Sequence, residues 1–197
     1  MRPIIGIITR KGKSDTGKNI KIVYDDIISS IIKSGGIPIG IDNNNIDNYL
    51  NICNGYILQG GDDIDNNNIN ILKILYEKDI PVLGICLGMQ EMGIFKDGLL
   101  VDINGHLDNK LHKISIKKDS LLYNIINKDS ILVNSRHKSV INKTNLYVSG
   151  ISFDNYIEAI EDNNKRFFLG IQWHPENMYD SDIDAKKIFD YFIKICS

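Results

Sequence analysis

A chain of 197 residues has room for one compact α/β domain with a full hydrophobic core, and its 43% apolar and 24% charged composition is ordinary for a globular protein in water. A formal net charge of −2 gives no electrostatic reason to expect nucleic acid or an acidic membrane as partner. The three cysteines, Cys53, Cys86 and Cys196, form no CxxC pair, which argues against a disulfide framework or a structural zinc site and for a reducing compartment. The apolar start is too short for a signal peptide or a membrane helix, so a cytoplasmic protein is expected.

In chain order, residues 4–9 read as a buried strand and 22–33 as a helix with Val23, Ile27, Ile28 and Ile31 on one face. Gly35-Gly36 stops that helix before a strand at 37–41. A short helix at 46–52 leads to a strand at 55–59 ending in Gly60-Gly61, followed by a helix at 69–78, a strand at 81–85 and a helix at 87–95. Continuous apolar strands separated by helices predict a parallel sheet covered on both faces. The second half changes character. Segments 112–116, 130–134, 146–153, 156–160 and 167–172 read as strands with short connections, added antiparallel to the sheet edge. A helix at 182–195 closes the chain, with Ala185, Ile188, Phe189 and Phe192 on one face. No repeat or linker is visible, so residues 1–197 are read as one domain with a flavodoxin-like, open, mostly parallel α/β sheet.

Gly84-Ile85-Cys86-Leu87-Gly88 has the small-x-nucleophile-x-small form of a nucleophile elbow at a strand-to-helix junction. Such a turn strains its central residue, and the helix N-terminus behind it favours negative charge on the sulfur. The same five residues also fit a buried structural cysteine between glycines. A cysteine nucleophile needs a base, and the base needs a group to orient it. Gly170-Ile171-Gln172-Trp173-His174-Pro175-Glu176 offers both, since residues two apart in extended chain face the same side. Alone, His174 and Glu176 equally suit a solvent-facing turn. Gly60-Gly61 bares backbone N–H groups at the carboxyl edge of the sheet, where ligands of open α/β folds bind, although a tight turn capped by Asp62 also explains it. His106 and His112 are six residues apart with no acidic companion in the chain at ligand spacing, so no metal is assigned.

Together these segments resemble the class I glutamine amidotransferase superfamily, and within it the γ-glutamyl hydrolase branch that includes γ-glutamyl-γ-aminobutyrate hydrolases. Arg2-Pro3-Ile4-Ile5-Gly6-Ile7 is similar to that branch's opening strand and Gly35-Gly36-Ile37-Pro38 to its second. Val133-Asn134-Ser135-Arg136-His137 resembles its "VNS-x-H" segment, Tyr156-Ile157-Glu158-Ala159-Ile160 its "IEAIE" strand, and Phe168 through Glu176 its catalytic signature. The resemblance implies a triad of Cys86, His174 and Glu176, an oxyanion hole from the Gly61 and Leu87 amides, and a substrate pocket involving Gly60, Gln90, Asn134, Ser135 and His137. It implies no cofactor, and a small γ-glutamyl amide or glutamine as substrate.

Three departures bear on function. Leu87 stands where the hydrolase branch usually has arginine, as in ammonia-producing glutaminases. The "VNS-x-HHQ" segment loses its second histidine and its glutamine to Lys138 and Ser139. The family's long insertion before the nucleophile shrinks to residues 64–79, which implies an altered, more open leaving-group side. Hydrolysis of a γ-glutamyl amide through a thioester is therefore the expected activity. The alternatives are a glutaminase subunit that supplies ammonia to a separate synthase chain, and an idle ligand-binding or regulatory domain of the same fold.

Overall fold

Ile4-Ile5-Gly6-Ile7-Ile8 forms β1 (Ile4–Ile8), and its side chains divide between two cores, as a period of two requires. Ile5 and Ile7 pack beneath one sheet face and Ile8 beneath the other. The computed structural model describes residues 1–104, 106 and 110–197. After β1 come β2 (Arg10–Lys13), β3 (Asn19–Ile22), α1 (Asp25–Lys33), β4 (Ile37–Ile41), β5 (Gly55–Leu58), α2 (Asn66–Glu77), β6 (Val82–Ile85), α3 (Leu87–Phe95) and β7 (Leu99–Asp102). The chain continues through β8 (His112–Ile116), α4 (Leu121–Ile126), β9 (Ser130–Val133), β10 (Ser139–Lys143), β11 (Tyr147–Ser152), β12 (Ile157–Glu161), β13 (Phe168–Ile171) and α5 (Ile183–Cys196).

One nine-stranded sheet runs β4-β1-β5-β6-β13-β12-β11-β8-β9 through both halves of the chain. Its first five strands are parallel and those beyond β13 antiparallel, the flavodoxin-like arrangement expected from the sequence. Helices α1, α4 and α5 cover one face through Ile27, Ile31, Leu122, Ile188, Phe189 and Phe192. Helices α2 and α3 cover the other through Ile71, Leu72, Leu75, Met89 and Met92. Each such side chain taken out of water contributes about 1.5–3 kcal/mol.

The structure corrects the sequence reading in four places. Segment 167–172, grouped with the antiparallel additions, is instead β13, parallel to β6, because its buried Phe168–Ile171 run suits a strand covered on both faces. Residues 10–22 make a two-stranded ribbon of β2 and β3 rather than leading directly into a helix. The ribbon is mostly exposed, with Ile20 and Ile22 alternating against Asn19 and Lys21 over Gly12, and Gly17, at φ 77°, makes its turn. The predicted 46–52 helix shrinks to a single 3₁₀ turn, Ile46–Asn48. Finally, α4 and the β7/β10 pair were not anticipated. Helix α4 starts at Ser120, whose side chain accepts from Tyr123 N, and stops at Asn127 in the left-handed region. The β7/β10 pair lies over α3, where Ile141 packs so tightly on Gly93 that a Cβ there would lie 2.6 Å from its Cγ1.

Candidate active site

Cys86 follows β6 at φ 52°, ψ −107°, a strained position for a side-chain-bearing residue, directly before α3. The flanking glycines make this turn possible by close approach. A Cβ on Gly88 would lie 2.0 Å from the Leu58 carbonyl oxygen, and one on Gly84 would lie 2.9 Å from the Gly88 carbonyl and closer still to Met92 Sδ. Cys86 N donates to Ile171 O at 2.8 Å, tying the turn to β13. The elbow therefore rests on the strands that flank β6, and these carry its partners.

Beyond β13, Gln172 and His174 face Cys86. Gln172 Nε2 donates to Cys86 Sγ at 3.6 Å, and the His174 ring interacts with the same sulfur. His174 Nδ1 meets Glu176 Oε1 at 2.7 Å, both residues being buried. Burial works against the His174 imidazolium, but the Cys86 sulfur and the Glu176 carboxylate outweigh it, and the pKa is pushed up to about 10. Asn134 grips the His174 backbone from behind: its Nδ2 donates to His174 O at 3.0 Å and its Oδ1 accepts from His174 N at 2.8 Å.

On the other side of β6, β5 delivers Gln59-Gly60-Gly61. A Cβ on Gly60 would lie 3.1 Å from His174 Cε1 and 3.7 Å from Cys86 Cβ, so any side chain there would press on the His174 ring. The Gly61 and Leu87 amides donate to no other described residue. A cavity of about 140 Å³ joins Cys86, Leu87, Gly61, Asp62, Gln90 and Arg136. A second of about 180 Å³ reaches His174 and Glu176 past Gly60 and Arg136, and a wider groove of about 440 Å³ opens from Gly61 towards Tyr24 and Asp63.

The structure thus brings together Cys86, His174, Glu176, Gly60, Gly61, Leu87 and Gln90. It does not bring all the expected pocket side chains with them. Asn134 acts on the His174 backbone, Ser135 Oγ pairs with His106, and the His137 ring turns to Glu158 although the residue borders the Cys86 cavity. The ground for assigning no metal to His106 and His112 also fails. Their acidic companion is Glu158, far along the chain on β12, whose Oε1 lies 3.2 Å from His112 Nε2.

Sequence reading missed three participants. Gln172 stands two residues before His174, just beyond the end of β13, and that two-residue spacing points to it. Arg10 and Glu91 carried no signal, being 81 residues apart. Arg10 Nη1 donates to Glu91 Oε1 at 2.8 Å in a buried ion pair, and Arg10 Nε donates to the Gln59 and Gly60 carbonyls at 3.1 Å. Glu91 Oε1 also accepts from Asn68 Nδ2 at 2.9 Å and Asp65 N at 3.2 Å. The pair clamps β5 and the start of α2 to α3, fixing the Gly60-Gly61 amides relative to Cys86.

A cysteine in a strained strand-to-helix turn beside a carboxylate-fixed histidine, on this sheet, defines a hydrolase of the glutamine amidotransferase type. The peptidase C26 family model matches residues 65–176, more than half of the chain, and the chain belongs to that family. It is 27% identical to a putative glutamine amidotransferase-like protein of Rickettsia prowazekii, over 98% of this chain and 97% of the relative. It is 24% identical to the γ-glutamyl-γ-aminobutyrate hydrolase of Escherichia coli, over 98% of this chain and 93% of that one. The fold is shared with the crystal structure of a putative GMP synthase component from Thermoplasma acidophilum, with a TM-score of 0.78 at 18% identity, covering 100% of this chain and 95% of that one. Among the described residues no helix is long and apolar enough to cross a membrane.

Proposed function

We propose that the chain hydrolyses γ-glutamyl amides through a thioester on Cys86. The observation that carries this reading is Cys86 at φ 52° against His174, with His174 Nδ1 held 2.7 Å from Glu176 Oε1. Cys86 Sγ attacks the side-chain amide carbon, and the oxyanion is received by the Gly61 and Leu87 amides. His174 gives its proton to the departing amine as the C–N bond breaks, leaving a γ-glutamyl thioester. Water then attacks the thioester carbon, His174 takes its proton, and glutamate leaves as the sulfur is restored. Glu176 keeps the imidazole oriented throughout. Asp62 and Arg136, of opposite charge on the wall of the Cys86 cavity, suit the α-ammonium and α-carboxylate of a glutamyl group.

The reading as a glutaminase subunit is favoured by Leu87 and by the short stretch carrying α2, which leaves the groove beyond Gly61 open. The purified chain is to be given free glutamine and a panel of γ-glutamyl amides while glutamate release is followed. Turnover of an amide by the chain alone supports hydrolysis. Thioester formation without glutamate release, relieved by a partner chain, supports the subunit.

A further inference from the structure

Three of the four histidines, His106, His112 and His137, gather around one buried carboxylate, Glu158. Glu158 is fully buried, and its Oε1 lies 3.2 Å from His112 Nε2, 3.7 Å from His137 Nε2 and 3.9 Å from His106 Nδ1. The His106 ring centre is 4.9 Å from that of His112 and 4.8 Å from that of His137.

Hydrogen-bond partners decide what these nitrogens present. His106 Nε2 lies 2.9 Å from Asp154 Oδ2, an acceptor, so in the neutral ring the proton sits there and Nδ1 carries a lone pair. His137 Nδ1 lies 3.2 Å from the Ser139 carbonyl, again an acceptor, so its Nε2 carries a lone pair. The His106 lone pair has one partner, Ser135 Oγ at 2.8 Å, whose proton has a second acceptor in His106 O at 3.1 Å. His137 Nε2, Glu158 Oε2 and His112 Nδ1 are buried without any hydrogen-bond partner among the described residues. Two imidazole lone pairs and a carboxylate thus converge where, among the described residues, His112 Nε2–H alone answers the negative charge. Burying such groups uncompensated is costly. A proton on His137 Nε2 would not repair this, because Glu158 Oε1 at 3.7 Å is beyond hydrogen-bond reach.

The geometry points to a divalent transition-metal site, of the Zn²⁺ class, formed by His106, His112, His137 and Glu158, with the His112 proton moved to Nδ1 so that Nε2 can bind the ion. Tetrahedral zinc with ligands at about 2.0–2.1 Å places them roughly 3.4 Å apart. Glu158 Oε1 stands 3.2–3.9 Å from the three nitrogens, and the ligand atoms of His106, His112 and Glu158 lie within 4.8 Å of one another, so an ion would draw the rings together. Three imidazoles and one carboxylate suit a borderline cation rather than Ca²⁺ or Mg²⁺. Asp154 behind His106, and the Ser139 carbonyl behind His137, orient the rings as outer partners of metal-bound histidines do. The ion would pin β8, β12 and the segment from Asn134 to Ser139. That segment holds His174 through Asn134, and its Ser139 carbonyl accepts from Gln90 Nε2 at 2.7 Å. Its role is to fix one wall of the Cys86 cavity, not to take part in bond cleavage.

The test uses the full chain, stripped with a chelator and titrated with ZnCl₂ by calorimetry, with Co²⁺ absorption reporting coordination geometry. The expected result is one ion per chain, a tetrahedral Co²⁺ spectrum and a raised Tm, all retained in Cys86→Ala and His174→Ala. Asp154→Asn should weaken binding by about 10–100-fold, and His112→Ala and Glu158→Gln by more. Should Glu158→Gln fail to fold, His112→Ala, at a partly exposed position checked by circular dichroism, keeps the test decisive. Absence of Zn²⁺ binding overturns the proposal. So does binding that survives His112→Ala, or binding that is lost with Cys86→Ala or His174→Ala.

Discussion

The Cys86 corner and the Glu158 cluster belong to one sheet, with β13 between the strand that leads to Cys86 and the strand of Glu158, yet they are held together in opposite ways. At the Cys86 corner each strained or charged group has a fixed protein partner: glycine-to-carbonyl packing under the elbow, Asn134 on the His174 backbone, and Arg10–Glu91 beneath Gly60-Gly61. Among the described residues Glu176 Oε2 is the corner's one buried side-chain oxygen lacking a partner. Around Glu158 the side chains face one another with lone pairs unanswered. One corner is organised by the protein alone. The other is organised for something the chain does not itself supply.

The comparison breaks first if the thiol corner is not the reactive one. Cys86→Ala should reduce turnover on the order of 10⁴-fold or more, and His174→Ala about as much, since a triad acts as a unit. A glutamine-analogue electrophile should label Cys86 alone. Burial pushes the Cys53 thiol up and that of Cys196 to about 12, leaving both unreactive at neutral pH. Mass spectrometry that finds Cys53 or Cys196 labelled equally would sink the assignment.

The rigidity claimed for the corner is sharpened by two stability measurements. Glu91→Ala leaves Arg10 buried and unpaired, and denaturant unfolding should show a loss of about 3–5 kcal/mol. Gly88→Ala forces a Cβ against the Leu58 carbonyl, and should cost about 1–3 kcal/mol while displacing the start of α3. Activity should therefore fall in Gly88→Ala although every proposed triad residue remains. Wild-type turnover in that variant would show that the close packing under Cys86 is dispensable.

The smallest effect concerns Glu176. The folded pKa of His174, about 10, lies above the ordinary 6.5, so the stabilisation from its protonation is complete below about 6.5 and lost as pH rises through about 10. Glu176→Gln removes one of the two groups that raise it. The wild-type advantage in Tm over Glu176→Gln should accordingly shrink as pH is raised across that interval. A Tm difference that stays constant with pH would mean that Glu176 contributes packing rather than charge.

Local pattern by itself determined the parallel core, the elbow and the adjacency of His174 and Glu176. The continuous apolar runs of Ile and Leu, the glycines about Cys86 and the two-residue spacing around Pro175 are short-range signals that survive in one dimension. The ribbon of β2 and β3 was hidden because its alternation is limited to Ile20 and Ile22 and buries little, and α4 because it is short and defined by its caps. Only the tertiary structure decided which distant charges meet. It sends Arg10 from the ribbon beneath Gly60-Gly61 to Glu91 on α3, and turns His137 from the thiol towards Glu158. It also makes Glu158 the companion of His106 and His112, because β12 lies beside β11 and β11 beside β8. Buried ionic partners are chosen by strand order and by the exclusion of water, and neither quantity is written in the spacing of residues along the chain.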